Sequence, residues 1–298
     1  MNILITGGTG LIGRHFINAY HDEHRFTVLT RNKVSAQRRL TPSCQFIESL
    51  DQLKNLNAFD AVINLAGEPI VDKRWTEKQK TIITNSRLDI TNRLVELFEQ
   101  SEEAPEVFIS GSAIGFYGRQ DDTVINEQFT DVHAEFSHDL CAKWEASAQR
   151  ASTATTRVCI LRTGIVLSED GGALDKMLLP FKLGAGGPIA SGKQYMSWIH
   201  ISDMISAINH LLVRPISQGI YNFTAPNPET NAAFAKKLGQ ALNRPTILPM
   251  PEFALRMLMG EAADLLVYGQ RVVPDELVSE NFEFLYPTLE DAFTHLLD

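Results

Sequence analysis

Positive charge, cysteine and long apolar runs are all scarce in this chain. Across 298 residues, 27 Lys and Arg face 36 Asp and Glu, a formal charge of −9, with no dense basic tract. A surface built to coat phosphate backbones is therefore excluded, so no nucleic-acid partner is expected. A local pocket for one phosphate-bearing small molecule remains compatible with that balance. Three cysteines, Cys44, Cys141 and Cys159, are too few and too scattered for a disulfide framework or a four-ligand zinc site. Cys159 sits in the apolar run Val158-Cys159-Ile160-Leu161, where a buried thiol is expected. No apolar run reaches membrane-spanning length. Met1-Asn2-Ile3-Leu4-Ile5 leads straight into glycines, without a basic segment or a cleavage site. A cytoplasmic, reduced protein with no membrane partner is the expectation.

What is present has the composition of a soluble globular protein, 44% hydrophobic and 21% charged. The first half alternates short apolar runs with helix-like segments. Ile3-Leu4-Ile5, Phe26 to Thr30, Ala61 to Leu65, Val107 to Ser110 and Val158 to Leu161 read as strands. Leu11 to Tyr20, Glu77 to Gln100 and Ser137 to Arg150 carry helical spacing. Short strands without polar alternation need a parallel sheet covered on both faces. The fold class expected is α/β: a doubly wound parallel Rossmann sheet with a smaller α/β C-terminal lobe. The spacing changes after about residue 164. Glycine-rich stretches flank a helix over 174–183, residues 203–213 read as helix, and Ile220 to Phe223 reads as a strand. From Pro226 onward, prolines punctuate short helices. The expected division is a nucleotide-binding body, 1–225, with 165–195 contributing to a substrate lobe, and a small C-terminal domain, 226–298.

The strongest motif is Thr6-Gly7-Gly8-Thr9-Gly10-Leu11-Ile12-Gly13, between the first strand and the first helix. Gly7 can make the tight turn, Gly10 leaves room for a pyrophosphate, and Gly13 lets the helix lie close to the sheet. The helix N-terminus supplies N–H groups and a favourable field for phosphate. Thr6, Gly7, Gly10, Leu11, Ile12 and Gly13 are thus candidate cofactor contacts. At the end of the second strand, NAD sites carry an acid for the ribose hydroxyls. This chain reads Leu29-Thr30-Arg31-Asn32 instead. Arg31 can grip a 2′-phosphate through its planar fork, which points to NADP. A second glycine motif, Gly187 to Lys193, matches a nucleoside-triphosphate loop only superficially. Gln194 replaces the magnesium-binding hydroxyl and no strand leads in, so a hairpin turn is expected.

These residues resemble the extended short-chain dehydrogenase/reductases, carried by the glycine loop, Asn64-Leu65-Ala66-Gly67, Ser110-Gly111-Ser112 with Tyr117-Gly118, Leu161-Arg162-Thr163-Gly164 and Trp198 to Asp203. Gly67-Glu68-Pro69-Ile70, Lys73-Arg74-Trp75, Ser86-Arg87, Lys143-Trp144-Glu145 and Gly269 to Pro274 resemble, more narrowly, the YfcH-like epimerase family. In that family a domain of unknown function follows the reductase-like one. The resemblance implies that Leu65, Ala66 and Gly67 line the adenosine and ribose side. It implies that Ser112 is the catalytic serine, and that Arg162 and Gly164 lie near the nicotinamide. It also implies a nucleotide-sugar epimerase or oxidoreductase.

The sequence departs from that family where the chemistry is done. The Tyr-x-x-x-Lys pair puts a phenol and an ammonium on one helix face, where the lysine lowers the phenol's pKa for proton transfer. Here the helix reads Phe136-Ser137-His138-Asp139-Leu140-Cys141-Ala142-Lys143-Trp144-Glu145. A register on Lys143 puts Asp139 at the phenol position, and one on Glu145 gives Ser137 and Cys141. Neither supplies a tyrosine. Arg87 stands nearest to the place of the helper asparagine. Tyr117, His200 and Tyr195 are candidate replacement acids, each with a packing role as the plain alternative. Lys73-Arg74-Trp75 reads either as a cationic cover for an anionic or nucleotide-linked substrate or as a helix start. No spacing suggests a metal; His21-Asp22-Glu23-His24 reads as a solvated loop. Leu255, Leu258, Met259 and Leu265-Leu266 form a stripe suited to core or to a homodimer contact. Two functions stay open: an NADP-dependent enzyme with Ser112 orienting a small-molecule substrate, or a catalytically inactive NADP(H)-binding sensor or scaffold.

Overall fold

Apolar strands with no polar face can be buried only between two layers of helices, and the sequence supplies both layers in alternation. The structure, a computed structural model, describes residues 1–297. In order run β1 (Asn2–Thr6), α1 (Leu11–Tyr20), β2 (Arg25–Leu29), α2 (Lys33–Arg39), β3 (Gln45–Ile47), β4 (Ala61–Asn64), α3 (Glu77–Glu99) and β5 (Val107–Ala113). Then come β6 (Val124–Ile125), α4 (Phe136–Gln149), β7 (Arg157–Thr163), β8 (Ile165–Leu167), α5 (Gly172–Lys182), β9 (Tyr195–Met196), β10 (Trp198–His200), α6 (Ile201–Val213) and β11 (Gly219–Phe223). The remainder holds β12 (Glu229–Thr230), α7 (Asn231–Ala241), α8 (Glu252–Met259), α9 (Asp264–Val267), β13 (Arg271–Val272), α10 (Asp275–Ser279) and α11 (Leu289–Leu297).

Seven strands form one sheet in the order β11-β7-β5-β4-β1-β2-β3, and every pairing in it is parallel. Alternate residues of each strand feed opposite cores. Ile3, Ile5, Val28, Ile63 and Ile109 pack with Phe16 of α1 and Met204, Ile208 and Leu211 of α6. Leu4, Val62, Phe108 and Ile160 pack on the other face with Leu94 and Phe98 of α3 and Ala148 of α4. A third core around Leu174, Trp198, Phe234 and Phe293 builds the lobe from α5, β10, α7 and α11. The C-terminal segment also returns to the body: β13 pairs with β6, and Leu277 of α10 enters the first core. No helix of the described residues is long and apolar enough to cross a membrane.

Two local expectations are corrected, and a third is divided. Gly187 to Lys193 does hold a turn, in which the Gly192 N–H donates to the Ile189 carbonyl at 2.8 Å. It is no hairpin, because β9 pairs with β12 and Ile189 bridges to Met250. His24 is buried rather than solvated, wedged between the Tyr20 and Phe26 rings. In the α8 stripe Leu255 is core but Leu258 faces solvent.

Candidate active site

The strand order reverses between β1 and β4, so the loops leaving those two strands part and open a crevice at the sheet's carboxyl edge. The glycine loop forms one wall. Gly7 has φ +69°, and a Cβ there would lie 2.5 Å from the Leu65 carbonyl oxygen. A Cβ on Gly13 would stand 2.5 Å from the Gly7 carbonyl oxygen and 2.6 Å from the Gly8 Cα. Gly10 differs, for its Cβ would meet only the Gly7 oxygen, at 3.1 Å, and the space beyond is open. Two glycines therefore serve close backbone packing, and one leaves room for a ligand. No side chain caps α1, and its first turn carries no acid, so its N–H groups remain for an anion. Gly13→Ala is expected to cost about 1–3 kcal/mol, because only backbone could yield to the new methyl. Urea denaturation reads this, and an unchanged midpoint would contradict the packing.

Other predicted contacts prove to be braces. Thr6 is fully buried; its hydroxyl donates to Asn64 Oδ1 at 2.6 Å and accepts the Ala66 N–H at 3.2 Å. It holds the crevice's far wall in register instead of facing the cleft. Leu11 and Ile12 turn their side chains inward, leaving their backbone as their contribution to the cradle. Leu65 likewise packs on the first core while its backbone abuts Gly7. Gly67 is crowded by Arg87, whose Cζ would lie 2.9 Å from a Cβ there. Gly164 donates its N–H to the Phe223 carbonyl at 3.1 Å, and a Cβ on it would come within 2.5 Å of the Ser197 oxygen. Its role is the close approach of the chain before β10. Arg31 is exposed just past β2. Its charge, after the Lys73 hydrogen bond, helps hold the Glu68 carboxyl below its usual range.

At the end of β5 the catalytic candidates meet a group that the sequence did not single out for chemistry. The Ser112 hydroxyl donates to Glu145 Oε1 at 2.6 Å. Arg162 clamps the same carboxylate, with Nε on Oε1 at 2.9 Å and Nη2 on Oε2 at 2.8 Å. Its Nη1 donates to the Tyr117 hydroxyl at 3.1 Å, and its guanidinium lies 3.4 Å from the Phe116 ring centroid. Arg162 is 2% exposed, and its side chain is spent on orienting Glu145. Tyr117 is fully buried and gives its proton to Asn222 Oδ1 at 2.7 Å, while burial pushes its pKa up. Tyr117 is therefore no replacement acid.

Helix α4 settles the register. Asp139 and Lys143 face solvent, whereas Ser137, Cys141 and Glu145 form a buried stripe at helical spacing. Burial pushes the Cys141 thiol up to about 11. Across from the stripe, Arg87 donates to the Glu68 and Ile83 carbonyls at 3.1 and 3.0 Å and lies over Trp144. The Trp144 indole and Asn64 both donate to Thr91, which ties the cleft's far wall to α3 and α4.

His200 is corrected as well. It is fully buried at the start of α6, where Nδ1 accepts the Ser202 N–H at 3.0 Å and Nε2 faces His295 at 3.2 Å. It caps a helix. Tyr195 stacks under Arg271 and lines a separate groove of about 680 Å³ with Asp121, Lys193 and Tyr268. The Lys73-Arg74-Trp75 cations are occupied. Lys73 pairs with Glu68 at 2.9 Å, and Arg74 donates to the Met257 and Leu258 carbonyls at the end of α8. Trp75 donates to the Ile70 carbonyl and meets Phe136 edge-on.

A family profile described as "NAD dependent epimerase/dehydratase family" matches residues 3–223, and one described as "Domain of unknown function (DUF1731)" matches 250–296. This is the pairing that the YfcH-like resemblance implies. "Epimerase family protein SDR39U1 homolog, chloroplastic" of Arabidopsis thaliana is 37% identical over 100% of this chain and 87% of its own. The crystal structure of human epimerase family protein SDR39U1 (isoform 2) with NADPH superposes with a TM-score of 0.91. It is 32% identical and covers 100% of this chain and 99% of that one. A nucleoside-diphosphate sugar epimerase from Corynebacterium glutamicum gives a TM-score of 0.78 at 28% identity, with 100% of this chain matched to 58% of that one.

Proposed function

The chain belongs to the NAD dependent epimerase/dehydratase family, and on that premise we propose that it binds NADP(H) in the glycine cradle and acts as an oxidoreductase on a hydroxyl-bearing small molecule held against Ser112. The residues fit the cofactor: the uncapped α1 N-terminus and the open space at Gly10 suit a pyrophosphate, and exposed Arg31 suits a 2′-phosphate. NADPH is what the human relative was crystallised with. The observation that carries the reading of the chemistry is the direction of one hydrogen bond. Ser112 donates its proton to Glu145, which Arg162 clamps at 2.8 Å, so the Ser112 oxygen is left to accept. A serine that only accepts holds a group that donates, such as a substrate hydroxyl. That hydroxyl's proton can pass to Ser112 Oγ as Ser112's own proton passes to Glu145, which replaces the absent tyrosine and lysine with an inward relay. NADP⁺, when bound, supplies the acceptor for the hydride from the carbinol carbon.

Arg31→Asp is expected to weaken NADPH binding about tenfold to a hundredfold and to leave NADH binding unchanged or improved, the size of a lost charge-assisted contact. Titration of NADPH fluorescence measures both, and an unaltered preference would sink the NADP assignment. Ser112→Ala is expected to slow NADP⁺ reduction by about a hundredfold or more with cofactor affinity retained. Purified protein with NADP⁺ and a panel of alcohols and sugars tests this. A second reading is favoured by Asp170, which reaches from the lobe to His15 at 3.2 Å and Arg14 at 3.8 Å on α1. The lobe can thereby register whether the cradle is filled. Tight cofactor binding without turnover of any panel member would select that sensor over the enzyme.

A further inference from the structure

The loop that follows β4 has a fixed base and a tip tied to the rest of the fold through charged side chains. At the base, the Glu68 N–H donates to Ser86 Oγ at 2.9 Å, and Arg87 donates to the Glu68 carbonyl at 3.1 Å. The Trp75 indole closes the loop on itself by donating to the Ile70 carbonyl at 2.8 Å. The tip, 71–74, is exposed, and among the described residues none of its main-chain N–H groups donates to another element. Asp72 instead pairs with Lys176 on α5, and Lys73 pairs with Glu68 of its own loop at 2.9 Å. Arg74 donates to the carbonyls of Met257 and Leu258, where the last turn of α8 presents acceptors and the negative end of the helix.

This loop runs along the cofactor cradle. It grows out of the crevice's far wall, where the Leu65 carbonyl oxygen would meet a Cβ on Gly7 at 2.5 Å. Glu68 lies within the field of Arg31, the residue placed for the 2′-phosphate. Lys176 stands one turn into α5, which begins at Gly172. A Cβ on Gly172 would lie 3.1 Å from Leu11 Cδ2, at the start of α1. The Lys176–Asp72 pair therefore joins an element seated on the α1 side of the crevice to the loop on its β4 side. A molecule lying between the two sides leaves only when that contact parts. Both partners are exposed, so the pair holds with little free energy and can open. Ser86 and Arg87 keep the base in place meanwhile, so only the tip has to move. A fixed base with a weakly held tip is the construction of a flap.

We propose that residues 67–75 form a flap over the bound cofactor, latched at Asp72 by Lys176 of the lobe and at Arg74 by the end of α8, and that this flap sets the rate of NADP(H) release. The proposal rests on NADP(H) occupying the glycine cradle, and it gives the C-terminal domain a part in holding the cofactor. The test is stopped-flow release of NADPH from the full chain, chased with excess NADP⁺ and followed by nicotinamide fluorescence. The variants are Asp72→Lys, Lys176→Asp, the two combined, and Arg74→Ala. All three positions are exposed, so urea midpoints are expected to match the wild type. Each single variant is expected to release NADPH about threefold to tenfold faster, and the combined exchange to return to within about twofold of the wild type. The direction separates a latch from a plain field effect. Asp72→Lys adds positive charge near the phosphates and Lys176→Asp removes it, so a field effect alone would drive the two rates apart. Opposite shifts, a combined exchange as fast as its single variants, or an Arg74→Ala protein at the wild-type rate would each overturn the proposal. A wild type that binds no NADPH would bring down the cradle reading and the flap together. Binding with unaltered release in every variant would bring down the flap alone.

Discussion

Glu145→Ala is expected to lose about 3–5 kcal/mol of folding free energy, the largest effect of any single substitution near the cleft. The loss does not measure the worth of an ion pair. It measures what is left behind: the Arg162 guanidinium, 2% exposed, would keep its charge and lose both oxygens that satisfy Nε and Nη2. Water cannot reach it, because Phe116 covers one face and Tyr117 closes the Nη1 side. The double variant Glu145→Leu with Arg162→Met should recover most of that stability, since a buried pair can often be exchanged for apolar groups at little cost. A methionine would also keep a favourable contact with Phe116. The double variant would still be inactive in the proposed reaction, because Ser112 would have no carboxylate to receive its proton. Urea midpoints and NADP⁺ reduction rates separate the two roles. A Glu145→Ala protein within about 1 kcal/mol of the wild type would show that the charge is solvated, and would remove the basis for a fixed acceptor at Ser112.

The cofactor cradle was legible in the sequence because a glycine's role there is set by its near neighbours. Gly7, Gly10 and Gly13 act within one strand-to-helix turn, so their spacing carries the geometry. The elements were legible for the same reason: the helix expected over 11–20 is the one observed, and the five strands foreseen in the first half each appear. What the sequence did not disclose depends on residues far apart in the chain. Glu145 and Ser112 are 33 positions apart, and Arg162 comes from a third element. No periodicity announces that they converge. The one available signal was the spacing of Ser137, Cys141 and Glu145, which matches a helix face, but composition could not tell which face turned inward. Tyr117 and His200 misled for a related reason. Each carries a side chain capable of acid–base work, yet each is fully buried and already bonded, Tyr117 to Asn222 and His200 to Ser202. The short strands β6 and β13 escaped notice because each is two residues long and finds its partner across the fold.

His200 makes the stability of this protein depend on pH, and the sign follows from its surroundings. Burial holds its pKa down to about 3, and the neighbouring His295 pushes the same way. The folded ring is neutral, with Nδ1 accepting from Ser202 and the proton on Nε2. In the unfolded chain the imidazole takes a proton below about pH 6.5. The folded state refuses that proton, so the contribution is complete above 6.5 and fades as pH falls, by about 1.4 kcal/mol per unit. By pH 4 about 3 kcal/mol of it is gone. Glu127 works in the opposite sense. Burial raises its pKa to about 7, although the Asn222 N–H donates to Oε1 at 2.9 Å. Its folded form keeps a proton that the unfolded chain releases above about 4.5, so its contribution declines between 4.5 and 7. Glu127 is only half-buried and its slope is the shallower, so between pH 4.5 and 6.5 wild-type stability from this pair should rise gently with pH. His200→Asn keeps a good helix cap and removes the titration. Measured as the difference from the wild type, its pH dependence should fall through this window, while that of Glu127→Gln should rise with a shallower slope. Urea midpoints from pH 4 to 8 decide it: parallel curves for His200→Asn and the wild type would mean that the buried ring accepts its proton without loss.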